Sequence, residues 1–179
     1  MKNKKRLQCL STVLLCLLAL GLVQFTGSAC GGDSLPSNVK ISSWNLVDSG
    51  KHCDWDARSS AYHSYVVTGA NTWNAYKAGV LRPDSASTLE DVRISDVNKS
   101  DVRWAGATYS NGIIHLNKYY MDSYANNKRL MVVTHELGHA LGLDDNNCST
   151  SNVMYPDVST VTTLSVNDKA SYDAAYARY

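Results

Sequence analysis

Beyond His139 the chain has no histidine, and beyond Glu136 it has no glutamate. A metal site built near these residues must find any later ligand among aspartates or a cysteine. Basic residues are not in surplus either: 17 Lys and Arg stand against 16 Asp and Glu in 179 residues. Residues 1–29 hold Lys2, Lys4, Lys5 and Arg6 and no acid, so without them the balance is 13 − 16 = −3. A mildly acidic domain with no basic stripe gives no support for nucleic-acid binding, and none is expected. After residue 23 no segment is apolar enough to cross a bilayer.

The apolar run Leu10 to Val23 spans 14 residues, short for a membrane helix. A basic cluster precedes it and Gly27-Ser28-Ala29 follows, so residues 1–29 read as a signal peptide. A retained anchor helix is the competing reading, and the length argues against it. Of five cysteines, Cys9 and Cys16 leave with that leader, and Cys30, Cys53 and Cys148 remain. Three is an odd number for an exported protein. The run Gly27-Ser28-Ala29-Cys30-Gly31-Gly32 resembles a bacterial lipoprotein processing site, with Gly27 where an aliphatic residue is usual. That resemblance implies a lipidated Cys30 and membrane attachment through it, leaving Cys53 and Cys148 as a pair able to form a disulfide. The alternative is ordinary cleavage after Ala29 and release of a soluble protein. Either way the location is outside the cytoplasm, extracellular or at the cell surface.

Residues 30–54 read as a polar, Gly/Ser-rich tether with a first strand around Val39 to Val47, and residues 55–179 as the catalytic domain. Ser59 or Ser60 can cap a helix carrying Tyr62, Tyr65, Val66, Gly69, Trp73 and Tyr76 at helical spacing, ended by Gly79 and Pro83. Thr88 to Val97 alternates apolar and polar residues as a half-buried strand does. Trp104 to Tyr109 and Gly112 to Leu116 follow as short strands around a tight turn at Ser110-Asn111-Gly112. Asn126 or Asn127 is placed to cap the next helix, which buries Leu130, Val133, Leu137, Ala140 and Leu141. Ser165-Val166-Asn167-Asp168 is a capping-box pattern opening a C-terminal helix with Tyr172, Ala175, Tyr176 and Tyr179. This order predicts one α+β domain.

Within the penultimate helix, His135-Glu136-Leu137-Gly138-His139 puts two imidazoles four residues apart on one face. Such a pair can share one zinc ion, and a carboxylate beside the first can act on the zinc's water. A helix whose histidines fall four apart by chance is the plain alternative. Gly142 sits where the chain can reverse, which returns Asp145 toward the metal six residues after His139. The later oxygen and sulfur donors are Asp144, Asp145, Asp157, Asp168, Asp173 and Cys148. Asp145 has the spacing of a third ligand, Asp144 is its nearest competitor, and Asp168 is explained as a helix cap.

His135 to Gly142 together with Asn152-Val153-Met154-Tyr155-Pro156 resembles the metzincin clan of zinc endopeptidases. Within that clan the likeness is to matrixins and their small bacterial relatives. It implies a mixed sheet, an active-site helix, a methionine turn and a closing helix. It further implies Zn2+ held by His135, His139 and a third residue, and Glu136 as general acid/base. Met154 would pack beneath the metal, while Tyr155 and Pro156 wall the substrate pocket. Matrixins carry histidine where Asp145 stands, and the snapalysin group carries aspartate, so Asp145 has a precedent. Val158 replaces a tyrosine usual in the pocket wall. The same resemblance makes Gly112–Asn117, with His115, the edge strand that pairs with substrate backbone. Tyr155 is a second candidate near the site, for the oxyanion, although the pocket wall is its simpler role. Cys53 could cap the zinc, but a disulfide with Cys148 is simpler. The expected protein is thus a monomeric zinc endopeptidase acting on proteins or peptides. Its rivals are an inactive zinc-containing surface lipoprotein and a zinc hydrolase of non-peptide amides.

Overall fold

In strand β3 (Val92–Val97), Val92 and Ile94 are buried and Arg93 faces solvent, the alternation of a strand with one covered face. In a computed structural model that describes residues 35–85 and 89–179, this strand lies at the middle of a five-stranded sheet. The other strands are β1 (Cys53–Asp56), β2 (Leu81–Pro83), β4 (Gly106–Tyr109) and β5 (Ile113–Asn117), in the order β2-β1-β3-β5-β4. The β1–β2, β1–β3 and β3–β5 pairs are parallel, and β4 runs antiparallel to β5. The mixed sheet expected from the sequence is therefore present. Its free edge beside the cleft is β4, not Gly112–Asn117, because β5 is paired on both sides.

Among the described residues four helices complete the fold: α1 (His63–Asn74), α2 (Lys118–Met121), α3 (Asn126–Ala140) and α4 (Val166–Tyr176). Trp73 of α1 joins three of them. Its Nε1 donates to Thr134 O of α3 at 2.8 Å, and its ring meets Tyr172 of α4 edge-on at 5.3 Å. Both side chains are fully buried, so this aromatic pair belongs to the core, whereas Tyr76, at the same helical spacing as Trp73, is exposed.

The capping box of α4 forms completely. Ser165 Oγ accepts the Asp168 N–H at 3.0 Å, and Asp168 Oδ2 accepts the Ser165 N–H at 2.8 Å. The other two expected caps do not form. Ser60 accepts the Tyr62 N–H and donates to Asp96, shaping the turn ahead of α1, whose N-cap is Tyr62. Helix α3 starts after Ala125 without a side-chain cap, and Asn126 instead accepts the Tyr65 hydroxyl.

Two readings near the N-terminus need correction. Val39 to Val47 is not a strand; it meets the end of α3 and the following turn through an isolated bridge, Ile41 to Leu143, and scattered backbone hydrogen bonds. The first strand is β1, which crosses the expected boundary between residues 54 and 55. The disulfide between Cys53 and Cys148 is also absent. Cys53 is a free, fully buried thiol in β1, while Cys148 is disulfide-bonded. Burial, followed by the nearby Asp91 and Asp54 carboxylates, pushes the Cys53 thiol far above its usual range. The signal peptide over 1–29 and lipidation of Cys30 fall outside the described residues. Among the described residues no helix is long and apolar enough to cross a membrane.

Candidate metal centre

Helix α3 is buried on nearly all sides from Met131 to Gly138, and His139, just beyond, is half-buried where the helix meets the cleft. The helix ends at Ala140, and Gly142, at φ +86°, takes the left-handed conformation that turns the chain back. The reversal delivers Asp145 to the two imidazoles. His135 Nε2 and His139 Nε2 are 3.0 Å apart, and Asp145 Oδ1 lies 3.2 Å from the first and 3.5 Å from the second. Among the described residues this is the one group of three such side chains able to hold a metal. Asp144, the nearest competitor, is exposed and accepts the Asp145 N–H at 2.9 Å.

The donor set fits zinc. Zn–N and Zn–O bonds of about 2.0–2.2 Å in a tetrahedron set neighbouring ligand atoms roughly 3.3–3.6 Å apart. The observed separations of 3.0, 3.2 and 3.5 Å are close to that spacing. Both remaining ring nitrogens are occupied: His135 Nδ1 pairs with Val153 O at 2.9 Å and His139 Nδ1 with Leu143 O at 3.0 Å. A carbonyl partner requires N–H at Nδ1, which leaves the Nε2 lone pairs aimed at the shared centre. The surroundings also favour positive charge there. Burial alone would lower the His135 pKa, but the Asp145 hydrogen bond and the Glu136 carboxylate outweigh it and raise it. In turn the His135 hydrogen bond holds the Asp145 carboxyl below the usual carboxylate range, against partial burial.

Glu136 is buried at the floor of the cleft and docks on the edge strand. Thr108 Oγ1 of β4 lies 2.7 Å from Glu136 Oε2 and 3.0 Å from Glu136 O. The cleft itself, about 480 Å³, is lined by β4 and the loop before it, by Met131, Val132 and the motif residues of α3, and by Asp144 to Val158 segments including Tyr155 and Pro156. Tyr155 is half-buried and Pro156 exposed in that wall. Met154 is buried under α3. A side chain at Gly138 would collide with Met154 Sδ and stand 2.8 Å from Trp73 Cζ2, so only glycine admits this approach.

Asp168 carries more than its cap. Fully buried, it also accepts the backbone N–H groups of Val153 at 2.9 Å and Met154 at 3.1 Å. It thereby fixes the methionine turn whose Val153 carbonyl orients His135. Sequence reasoning found the cap and missed this second role, since the partners lie 14 and 15 residues away with no local pattern to reveal them. His115, in β5, is not near the ligand cluster; its Nδ1 is buried without a hydrogen bond, and burial and Lys99 lower its pKa.

Comparison with known proteins places these features. The family model described as Matrixin matches residues 52–177. No curated protein matches by sequence. Among solved structures, the structure of myroilysin superposes with a TM-score of 0.51 at 15% identity, covering 72% of this chain and 92% of that one. At that identity the likeness concerns the fold. The GM1-bound form of the ECX AB5 holotoxin gives a TM-score of 0.41 at 14% identity, over 82% of this chain and 83% of that one, too low to draw on.

Proposed function

The chain belongs to the matrixin family and is a zinc metalloendopeptidase, and on that premise we propose that His135, His139 and Asp145 hold the zinc while Glu136 moves the proton. The observation that carries this reading is the convergence of three ligand atoms, 3.0 to 3.5 Å apart, beside a buried carboxylate in an open cleft. Bound there, zinc would supply Lewis acidity to the scissile carbonyl and make a water nucleophilic at neutral pH.

The chain's own residues do the rest. Glu136 accepts a proton from the attacking water at its carboxylate and returns it to the leaving amine. Thr108 holds that carboxylate against β4. The free edge of β4 offers backbone groups to an extended peptide, so the strand that binds substrate also seats the proton carrier. Tyr155, Pro156 and Val158 wall the pocket beneath it, over Met154.

Export belongs to the same proposal. It rests on the leader-like residues 1–29 and on the disulfide at Cys148, a bond that persists in oxidising compartments. The mass of the mature N-terminus distinguishes release after Ala29 from attachment through a lipidated Cys30. For the activity, the test is cleavage of a peptide library by the zinc-loaded full chain. Hydrolysis that stops with a chelator and returns with zinc is expected. Zinc binding with no cleavage of any peptide or unfolded protein would leave a binding protein instead.

A further inference from the structure

The family match starts at residue 52, yet part of the cleft wall comes from upstream of it. Residues 38–46 run across the end of α3 and the loop that follows. Leu46 N–H donates to Ala140 O at 2.8 Å, Ser42 N–H to Gly142 O at 2.9 Å, and Asp144 N–H to Lys40 O at 3.3 Å. Ile41 bridges Leu143, and the Arg178 guanidinium donates to Ser42 O and Ser43 O from the C-terminal side.

Trp44 stands between the two pinned points. Its N–H donates to Ser42 Oγ at 3.3 Å, and its carbonyl oxygen lies 3.3 Å from where a Cβ on Gly142 would be. The backbone carrying this indole is therefore held on both sides. Trp44 and Ser42 line the same cleft as His139, Asp144 and Asp145. The indole is half-buried, and among the described residues it has no aromatic ring partner and its Nε1 makes no hydrogen bond. The core tryptophans both have a ring neighbour: Trp73 packs on Tyr172 and also donates from Nε1, and Trp55 packs on His63, its Nε1 unpaired, so the missing ring neighbour is what sets Trp44 apart from them. A rigid aromatic surface that faces a cleft without a partner of its own is preorganised for contact with a ligand.

We infer that Trp44 is a specificity-determining residue whose indole receives an aromatic or large aliphatic side chain of the substrate peptide. Acidic side chains are disfavoured there, because the exposed Asp144 carboxylate, which the zinc does not use, shares that wall. The inference rests on the peptidase reading above. It assigns to a segment outside the family's extent a part in substrate choice.

The experiment compares the zinc-loaded full chain with its Trp44→Ala and Trp44→Phe variants on one peptide library, alongside zinc content and melting temperature. The wild type should select a bulky apolar residue at one position of the cleavage site. Trp44→Ala should reduce the preference for bulky over small side chains there by about tenfold, the low end for a hydrophobic pocket contact. The loss should lie in KM, and Trp44→Phe should recover most of it at unchanged zinc content. A preference unchanged in Trp44→Ala overturns the inference. So does an equal fall on every peptide that tracks a lower melting temperature, because that marks a structural tryptophan. Should Trp44→Ala fail to fold, Trp44→Leu decides it: a shifted side-chain preference supports the inference and an unchanged one overturns it. No cleavage by the wild type sinks the peptidase reading and the inference with it, whereas cleavage with an unaltered profile sinks the inference alone.

Discussion

The Asp168 carboxylate accepts the Val153 N–H at 2.9 Å, and the carbonyl of the same Val153 pairs with Nδ1 of His135, also at 2.9 Å. One residue of the methionine turn thus links the closing helix to a metal-binding histidine. Replacing Asp168 with alanine leaves the buried N–H groups of Val153 and Met154, and the part-buried one of Ser165, without this acceptor, at a cost of about 1–3 kcal/mol for each donor that stays buried and unpaired. We expect Asp168→Ala to lower the melting temperature and to release zinc to a competing chelator at lower concentration. A variant that loses stability but holds zinc as tightly as wild type would show that Asp168 serves the helix alone.

Asp145 and Asp144 are adjacent and separable. Asp145→Ala should lose most zinc, as measured by metal analysis after dialysis, because it removes one of three donors. Asp144→Ala should keep zinc, since its carboxylate bonds only its neighbour's backbone. The opposite pattern would move the third ligand by one residue.

Thr108 is a positioning residue for Glu136. Hydrogen bonds to charged groups contribute about 1.5–3 kcal/mol, so Thr108→Val should lower kcat roughly tenfold or more. Zinc content and KM should change little, and Thr108→Ser should restore kcat by keeping the hydroxyl. Equal kcat in Thr108→Val would remove the hydroxyl from the account.

Cys53 is fully buried and its thiol is pushed up by burial. The thiolate is the reactive form, so alkylation at pH 7 to 9 should spare Cys53 in the native protein and label it after unfolding. Peptide mass mapping reads this directly. Rapid native labelling at Cys53 would contradict the burial.

The site was more legible in the sequence than the sheet was. His135, Glu136, His139, Gly142 and Asp145 lie within one turn of helix and its reversal, where spacing alone governs who meets whom. The capping box at Ser165 is similarly local. Strands β1 and β2 gave no such signal. Asp54 points into the protein and is neutralised by Arg82, its register partner on β2, through Nε–Oδ1 and Nη2–Oδ2 contacts at 2.8 and 3.0 Å. An ion pair between strands, with its carboxylate buried and its guanidinium part-exposed, erases the apolar alternation that marks a strand. The edge position of β4 was hidden for another reason. It depends on β5 pairing with β3, a contact between residues about 20 apart in the chain. Residues 39–47 had strand composition but meet the end of α3 and the turn after it through single, scattered backbone hydrogen bonds, and a strand needs a partner strand along its length.

The central claim is that Glu136 carries the proton in a zinc site that exists without it. The most direct measurement is peptide hydrolysis by Glu136→Gln, with zinc content determined on the same sample. The variant keeps size and loses the basic carboxylate, so zinc should stay bound at the wild-type ratio while turnover falls by at least about a hundredfold, the usual contribution of general acid–base catalysis. Full zinc occupancy with undiminished turnover would contradict the account.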